Sequence, residues 1–131
     1  MKEINPGLTG EAKTTVSEAN TAINVGSGNV AVFATPMLVA LMENAAINAL
    51  KGSLSEGEGS VGTKVDIAHT AATPPGMTVT ARAELVEVDR KRLVFEVSAE
   101  DDNGPIGQGR HERFIVNLAK FMARAEEKIR S

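Results

Sequence analysis

The stretch from Thr35 to Gly52, TPMLVALMENAAINALKG, decides how this chain folds. Threonine is a good N-cap and proline is favoured at the first helical position, so Thr35-Pro36 reads as a helix start. The helix then runs from Met37 to Lys51, and Gly52 is its C-terminal signal. From Pro36 to Leu50 the one charged residue is Glu43. Its neighbours one turn away, Val39, Ala40, Ala46 and Ile47, are all apolar. A helix apolar nearly all round is one that the rest of the chain covers.

Extended runs follow this helix at short spacing. Val61 to His69 alternates, with Val61, Val65 and Ile67 on one side and Lys64 and Asp66 on the other. Met77–Val88 and Leu93–Glu100 read as a hairpin around Asp89-Arg90-Lys91. Within the second strand Leu93, Phe95, Val97 and Ala99 share one face. Asp102-Asn103-Gly104 makes the next turn, because Asn-Gly tolerates the positive φ such turns need. A further strand covers Ile106 to Val116. Leu118, Phe121, Met122, Ala125 and Ile129 mark one face of a closing amphipathic helix over residues 118–130. Ahead of the central helix, Leu8 to Ser17 is a Thr-rich edge strand, and Val25 to Ala34 is a loop or short helical turn leading inward. Four consecutive strands with short connections predict an antiparallel meander whose concave face wraps the apolar helix. The fold class is α+β. No repeat or linker divides the chain, so residues 1–131 read as one domain, with Gly52 to Ser60 as a loop.

At 131 residues such a domain buries a modest core, and pairing with a second copy would help it. The net charge of −3 and the absence of a Lys/Arg run argue against nucleic acid or an anionic membrane as partner. With 3% aromatic residues and no Trp or Tyr, base-stacking platforms are also excluded. There is no Cys, hence no thiol nucleophile, disulfide or Cys-based metal site. The N-terminus has no apolar core of a signal peptide, and Pro36 to Leu50 is too short to span a bilayer, so the expected location is cytoplasmic.

Glu43 is the leading candidate for chemistry. A buried carboxylate costs several kcal/mol unless it is paired or protonated, so glutamate rarely occupies such a helix idly. His69 continues the parity of Val65 and Ile67 to a strand end, where imidazole acts as a base or orients a carboxylate or water. Thr35 is explained as a plain N-cap, yet its hydroxyl also stands at the positive end of the helix, where backbone N–H groups polarise a carbonyl. Glu43 lies about 10 Å along the axis from Pro36, within reach of the same extended ligand but not of Thr35 itself. His111 and Arg113 form a second polar pair that shares a face with Gly107, Gly109 and Ile115. Scattered cations such as Arg82, Lys91, Arg92 and Arg110 have no specific spacing. No P-loop, GxGxxG, HExxH or GxSxG pattern occurs.

The run ATPMLVALMEN (Ala34 to Asn44), followed by VGTKVDIAHTAATPPG (Val61 to Gly76), resembles the fluoroacetyl-CoA thioesterase-like branch of the hotdog superfamily. The Thr-Pro helix start, a Glu eight residues on, and a His in an H-x-A-A-T-P-x-G segment are present as Thr35, Glu43 and His69. The resemblance covers about Leu8 to Asn117. It implies a hotdog fold, with an antiparallel sheet around a central helix. It also implies a homodimer with sites at the subunit interface and hydrolysis of a short acyl-CoA without metal or cofactor, coenzyme A being part of the substrate. Thr35, Glu43 and His69 are then catalytic, Glu43 as nucleophile or as base for water. Gly62, Gly76 and Arg113 bind substrate. The competing expectations are a non-catalytic acyl-CoA or small-ligand binding protein, a hotdog dehydratase or hydratase, and a structural oligomerisation domain.

Overall fold

In the computed structural model, which describes residues 3–130, the helix that begins at Thr35-Pro36 is α2, Thr35–Ala49. Around it, in chain order, lie β1 (Thr9–Thr15), the short α1 (Ala22–Val25), β2 (Glu58–His69), β3 (Thr78–Asp89), β4 (Arg92–Glu100), β5 (Pro105–Asn117) and α3 (Leu118–Arg130). The five strands make one antiparallel sheet in the order β1-β3-β4-β5-β2. Only β3-β4-β5 is a meander. β2, expected beside β3, pairs with β5 at the far edge instead.

The reason lies in the connection TAATPPGM, residues 70–77. Two prolines remove backbone donors and fix φ, so no two-residue hairpin forms there. The segment crosses beneath the sheet end and is stitched to what it passes. The Thr70 N–H donates to the Ile106 carbonyl (2.7 Å), the Phe33 N–H to the Thr73 carbonyl (2.9 Å), and the Gly76 N–H to the Val16 carbonyl (2.8 Å). The buried Thr73 hydroxyl donates to Asp101 at 2.8 Å.

α2 lies against the concave face. Leu38, Leu41, Met42, Ala45, Ala46 and Ala49 are buried, and Phe33, Leu85, Leu93 and Phe95 belong to the same core. Truncating one large side chain in such a core costs roughly 2–5 kcal/mol. The helix is not covered all round, however. Pro36, Ala40, Asn44 and Ile47 are exposed, because a single sheet shields one side only. The N-cap is Ala34 rather than Thr35: its carbonyl accepts the first helical N–H groups, and no side chain caps the start. Thr35 is the first helical residue, which leaves its hydroxyl free for another partner.

A second correction concerns β2. Its register against β5 slips by one residue between Gly62 and Lys64, a β-bulge at Thr63. A one-residue slip exchanges faces. Val61 therefore stands opposite Phe114 on the outer face, and Gly62, paired with Arg113, takes the inner one. α3 forms as expected, yet none of its residues is buried, and Phe121 and Met122 are open to solvent.

Gly10 of β1 packs directly on α2, where a methyl group would run into the Ala45 carbonyl oxygen and the Ala49 nitrogen. Both obstacles are backbone, so relief requires moving the whole helix. Gly10→Ala is expected to destabilise the fold by about 3 kcal/mol. Urea unfolding checks this, and an unchanged midpoint would show that α2 is free to shift.

Candidate active site

Two polar clusters form on α2, one at its start and one two turns along. At the start, Thr35 Oγ1 lies 2.7 Å from Nδ1 of His69, the last residue of β2. The pairing depends on topology: β2 ends where the N-terminus of α2 reaches the sheet, and the stitched 70–77 connection holds that end in place. Nε2 of His69 is buried and makes no hydrogen bond with any described residue. Burial holds the His69 pKa below its ordinary value, against an opposing pull from the Ala71 backbone.

A groove of about 320 Å³ opens beside this pair. Its walls include Ala22, Val30, Val32, Phe33 and Ala72, and its polar edge includes Thr35, His69 and Thr70. Among the described residues no charged side chain lines it. A larger depression, about 810 Å³, lies on the opposite face of the sheet among Glu11, Arg82, Glu84, Glu96 and Arg110. There Arg82 is paired with Glu11 and Glu100, and Arg110 with Glu96, so both cations are already engaged. The depression holds carboxylates and Ser98 but no histidine, whereas the groove sets a hydroxyl and an imidazole side by side at an apolar wall.

The second cluster surrounds Glu43. Its Oε2 lies 3.6 Å from Arg113 Nη1 and 4.0 Å from His111 Nε2. Arg113 and His111 are 5% and 1% exposed. The guanidinium donates from Nε to Ser60 Oγ (2.8 Å) and from Nη2 to the Ser60 carbonyl (2.9 Å), and Nη1 lies 3.1 Å from His111 Nε2. Arg113, expected to bind substrate, is enclosed by its own chain and turned toward Glu43. Gly62 faces the same carboxylate: a Cβ there would stand 2.7 Å from Glu43 Oε2. The β2 bulge thus supplies, at the one position opposite Arg113, a residue with no side chain to displace Glu43. Gly76 adopts φ +100°, sits in the turn before β3 and is not among the groove-lining residues.

Sequence reasoning picked out Thr35, Glu43, His69 and Arg113, with His69 as a base or as a group that orients a carboxylate or water. The structure pairs His69 with Thr35, and Glu43 with Arg113. Eight helical residues separate Thr35 from Glu43, about 12 Å along the axis. Ser60 was missed because it was assigned to a loop, whereas β2 begins at Glu58. Among the described residues no group of three or more His, Cys, Asp or Glu side chains is arranged to hold a metal ion. Nor is any helix among them long and apolar enough to cross a membrane.

The profile of the family described as fluoroacetyl-CoA-specific thioesterase matches residues 16–119. A fluoroacetyl-CoA thioesterase of Streptantibioticus cattleyicolor is 50% identical over 97 residues, 74% of this chain and 70% of that protein. The solved structure of the fluoroacetyl-CoA thioesterase FlK superposes with a TM-score of 0.90 at 39% identity, covering 97% of this chain and 98% of that one. A thioesterase superfamily member from Thermus thermophilus gives 0.89 at 30% identity over 99% and 98% of the two chains. A hot-dog-like protein from Thermanaerovibrio acidaminovorans gives 0.84 at 26%, over 94% and 91%.

Both histidines have pKa values held below the ordinary 6.5, each chiefly by burial. Folding therefore favours their neutral forms. The stability this linkage gives is fully present above about pH 6.5 and is lost as pH falls through the lowered folded values. Histidine-selective NMR is expected to show two resonances that titrate below pH 6.5. A midpoint above 7 for either ring would contradict the burial described.

Proposed function

The chain belongs to the fluoroacetyl-CoA-specific thioesterase family of the hotdog superfamily, and from that premise we propose that it hydrolyses short, uncharged acyl-CoA thioesters at a site built from Thr35, His69 and Glu43. It is a thioester hydrolase. The observation that carries the site assignment is the 2.7 Å contact between Thr35 Oγ1 and His69 Nδ1 at the start of α2, beside an uncharged groove.

The chemistry follows from those groups. The thioester carbonyl oxygen lies toward the positive N-terminal end of α2, where the helix dipole and the Thr35 hydroxyl stabilise the negative charge that develops on it. Glu43 supplies the carboxylate that drives attack on the carbonyl carbon. His69 shares a proton with the Thr35 hydroxyl and keeps Nε2 available for proton transfer. In the balanced reaction water adds to the acyl carbon, the C–S bond breaks, and the thiolate of coenzyme A takes up a proton. The groove walls suit a small neutral acyl group. A carboxylated acyl chain would meet no cation there.

One chain cannot bring Glu43 to Thr35, because the helix between them is rigid. Support for a shared site comes from what the chain leaves uncovered. Glu43 is 37% exposed, Ile47 and Val65 beside it are open, and β2 is an edge strand of twelve residues with unpaired backbone groups. A twofold partner joined along β2 runs its α2 antiparallel to the first, so the middle of one helix faces the start of the other. Each site then takes Thr35 and His69 from one subunit and Glu43 from its mate. We place this homodimer in the cytoplasm.

Glu43→Ala and His69→Ala should each lower turnover of a short acyl-CoA by roughly 100-fold or more with the fold retained, and Thr35→Ser should be milder than Thr35→Ala. Wild-type rates in either alanine variant would remove that residue from the site. Mixing the inactive Thr35→Ala and Glu43→Gln chains under exchange is expected to restore about a quarter of wild-type activity, since half the dimers are mixed and each has one intact site. No recovery after verified exchange would place all three groups within one subunit.

A further inference from the structure

We propose that His111, which no step above uses, is a positioning residue: its neutral ring holds one arm of Arg113 so that the same arm faces Glu43, and its protonation disables the site. The inference rests on Glu43 being the working carboxylate.

The hydrogen bonds fix the state of the ring. Nδ1 of His111 lies 2.8 Å from the Lys64 carbonyl oxygen, which only accepts, so Nδ1 carries the proton. Nε2 in the neutral ring is then an acceptor, and its neighbour at 3.1 Å is Nη1 of Arg113, which only donates. The ring therefore links the β2 backbone, at the residue just past the bulge, to the guanidinium. Ser60 holds the other arms through Nε and Nη2. Three anchors determine the plane of the guanidinium, and what remains of Nη1 points at Glu43 Oε2, 3.6 Å away. Arg113 is thereby set at a distance that steers the carboxylate without locking it in a bidentate pair.

Protonation of Nε2 would turn an N–H against the N–H of Nη1 and put a second cation beside a buried one. The groups facing the ring are few. α2 contributes Glu43, β5 contributes Arg113 and, more distantly, Glu112, β2 offers only the Lys64 carbonyl, and β4 stacks the uncharged ring of Phe95 at 6.4 Å between centroids. Burial is the largest influence and favours the neutral form. Once charged, the ring has Glu43 as its available counter-ion, 4.0 Å from Nε2. It then competes with the substrate for the carboxylate.

Two variants and one measurement on wild-type protein test this. His111→Leu removes the acceptor and should lower kcat by roughly 10- to 100-fold with KM little changed, because the site stays built but its carboxylate is misaimed. His111→Gln restores an acceptor that does not titrate. It should recover most of that loss and move the acid limb of the kcat profile relative to wild type. In wild-type protein the chain's two histidines make the rings assignable, and ¹⁵N shifts should report His111 as the Nδ1–H tautomer at neutral pH. That last measurement needs no variant to fold. An Nε2–H tautomer, a His111→Leu kcat equal to wild type, or an acid limb unmoved in His111→Gln would each overturn the proposal. Glu43→Gln is measured alongside. Full turnover in that variant defeats the site reading itself, whereas an inactive Glu43→Gln with an indifferent His111→Leu defeats this inference alone.

Discussion

A carboxylate on a helix that offers it no polar neighbour must find its counter-charge on another element. That requirement organises this protein around Glu43 and Arg113. The arginine is buried on the inner face of β5 and is tolerable there because Ser60 and His111 satisfy its donors and Glu43 lies close. For Ser60 to face inward, together with Gly62 and the strand's later residues, β2 needs an extra residue. The bulge at Thr63 provides it. The same bulge puts a glycine where any side chain would press on the carboxylate. Four features that look unrelated along the chain serve one ion pair.

The second constraint is the length of α2. A straight helix holds Thr35 and Glu43 about 12 Å apart, farther than one reacting carbonyl can bridge. In the proposed site each point supplies half of a reaction centre: a hydroxyl–imidazole pair at the positive helix end, and a steered carboxylate on the uncovered stripe. In the proposed dimer, two antiparallel helices from two subunits satisfy both distances at once. On that proposal the exposed surface of α2 and the open edge of β2 belong to function as much as to assembly.

Much of this was legible in the sequence. Local signals marked the helix of Thr35-Pro36, the hairpin at Asp89-Arg90-Lys91 and the turn at Asp102-Asn103-Gly104, and the structure places elements within a few residues of each expectation. Glu43 stood out because charge and hydrophobic context disagreed. What could not be read was long-range pairing. Strand order depends on which edge β2 reaches after a crossing connection, and nothing in Thr70–Met77 names β5 as its neighbour. The bulge is equally silent: Val61, Val65 and Ile67 read as one face until a register slip divides them. Ser60 was passed over because the loop after the central helix was read as running to it, whereas β2 begins at Glu58. The Thr35 hydroxyl, taken for a cap, is bound to His69.

The most direct test is a crystal structure of the wild-type protein with a non-hydrolysable short acyl-CoA analogue. The acyl carbonyl oxygen is predicted to lie at the N-terminus of α2, within hydrogen-bond distance of Thr35 Oγ1, with the Glu43 carboxylate of the partner subunit facing the carbonyl carbon. An analogue bound instead in the depression among Glu11, Arg82 and Glu96, or one that leaves Glu43 remote from the carbonyl, would contradict the account.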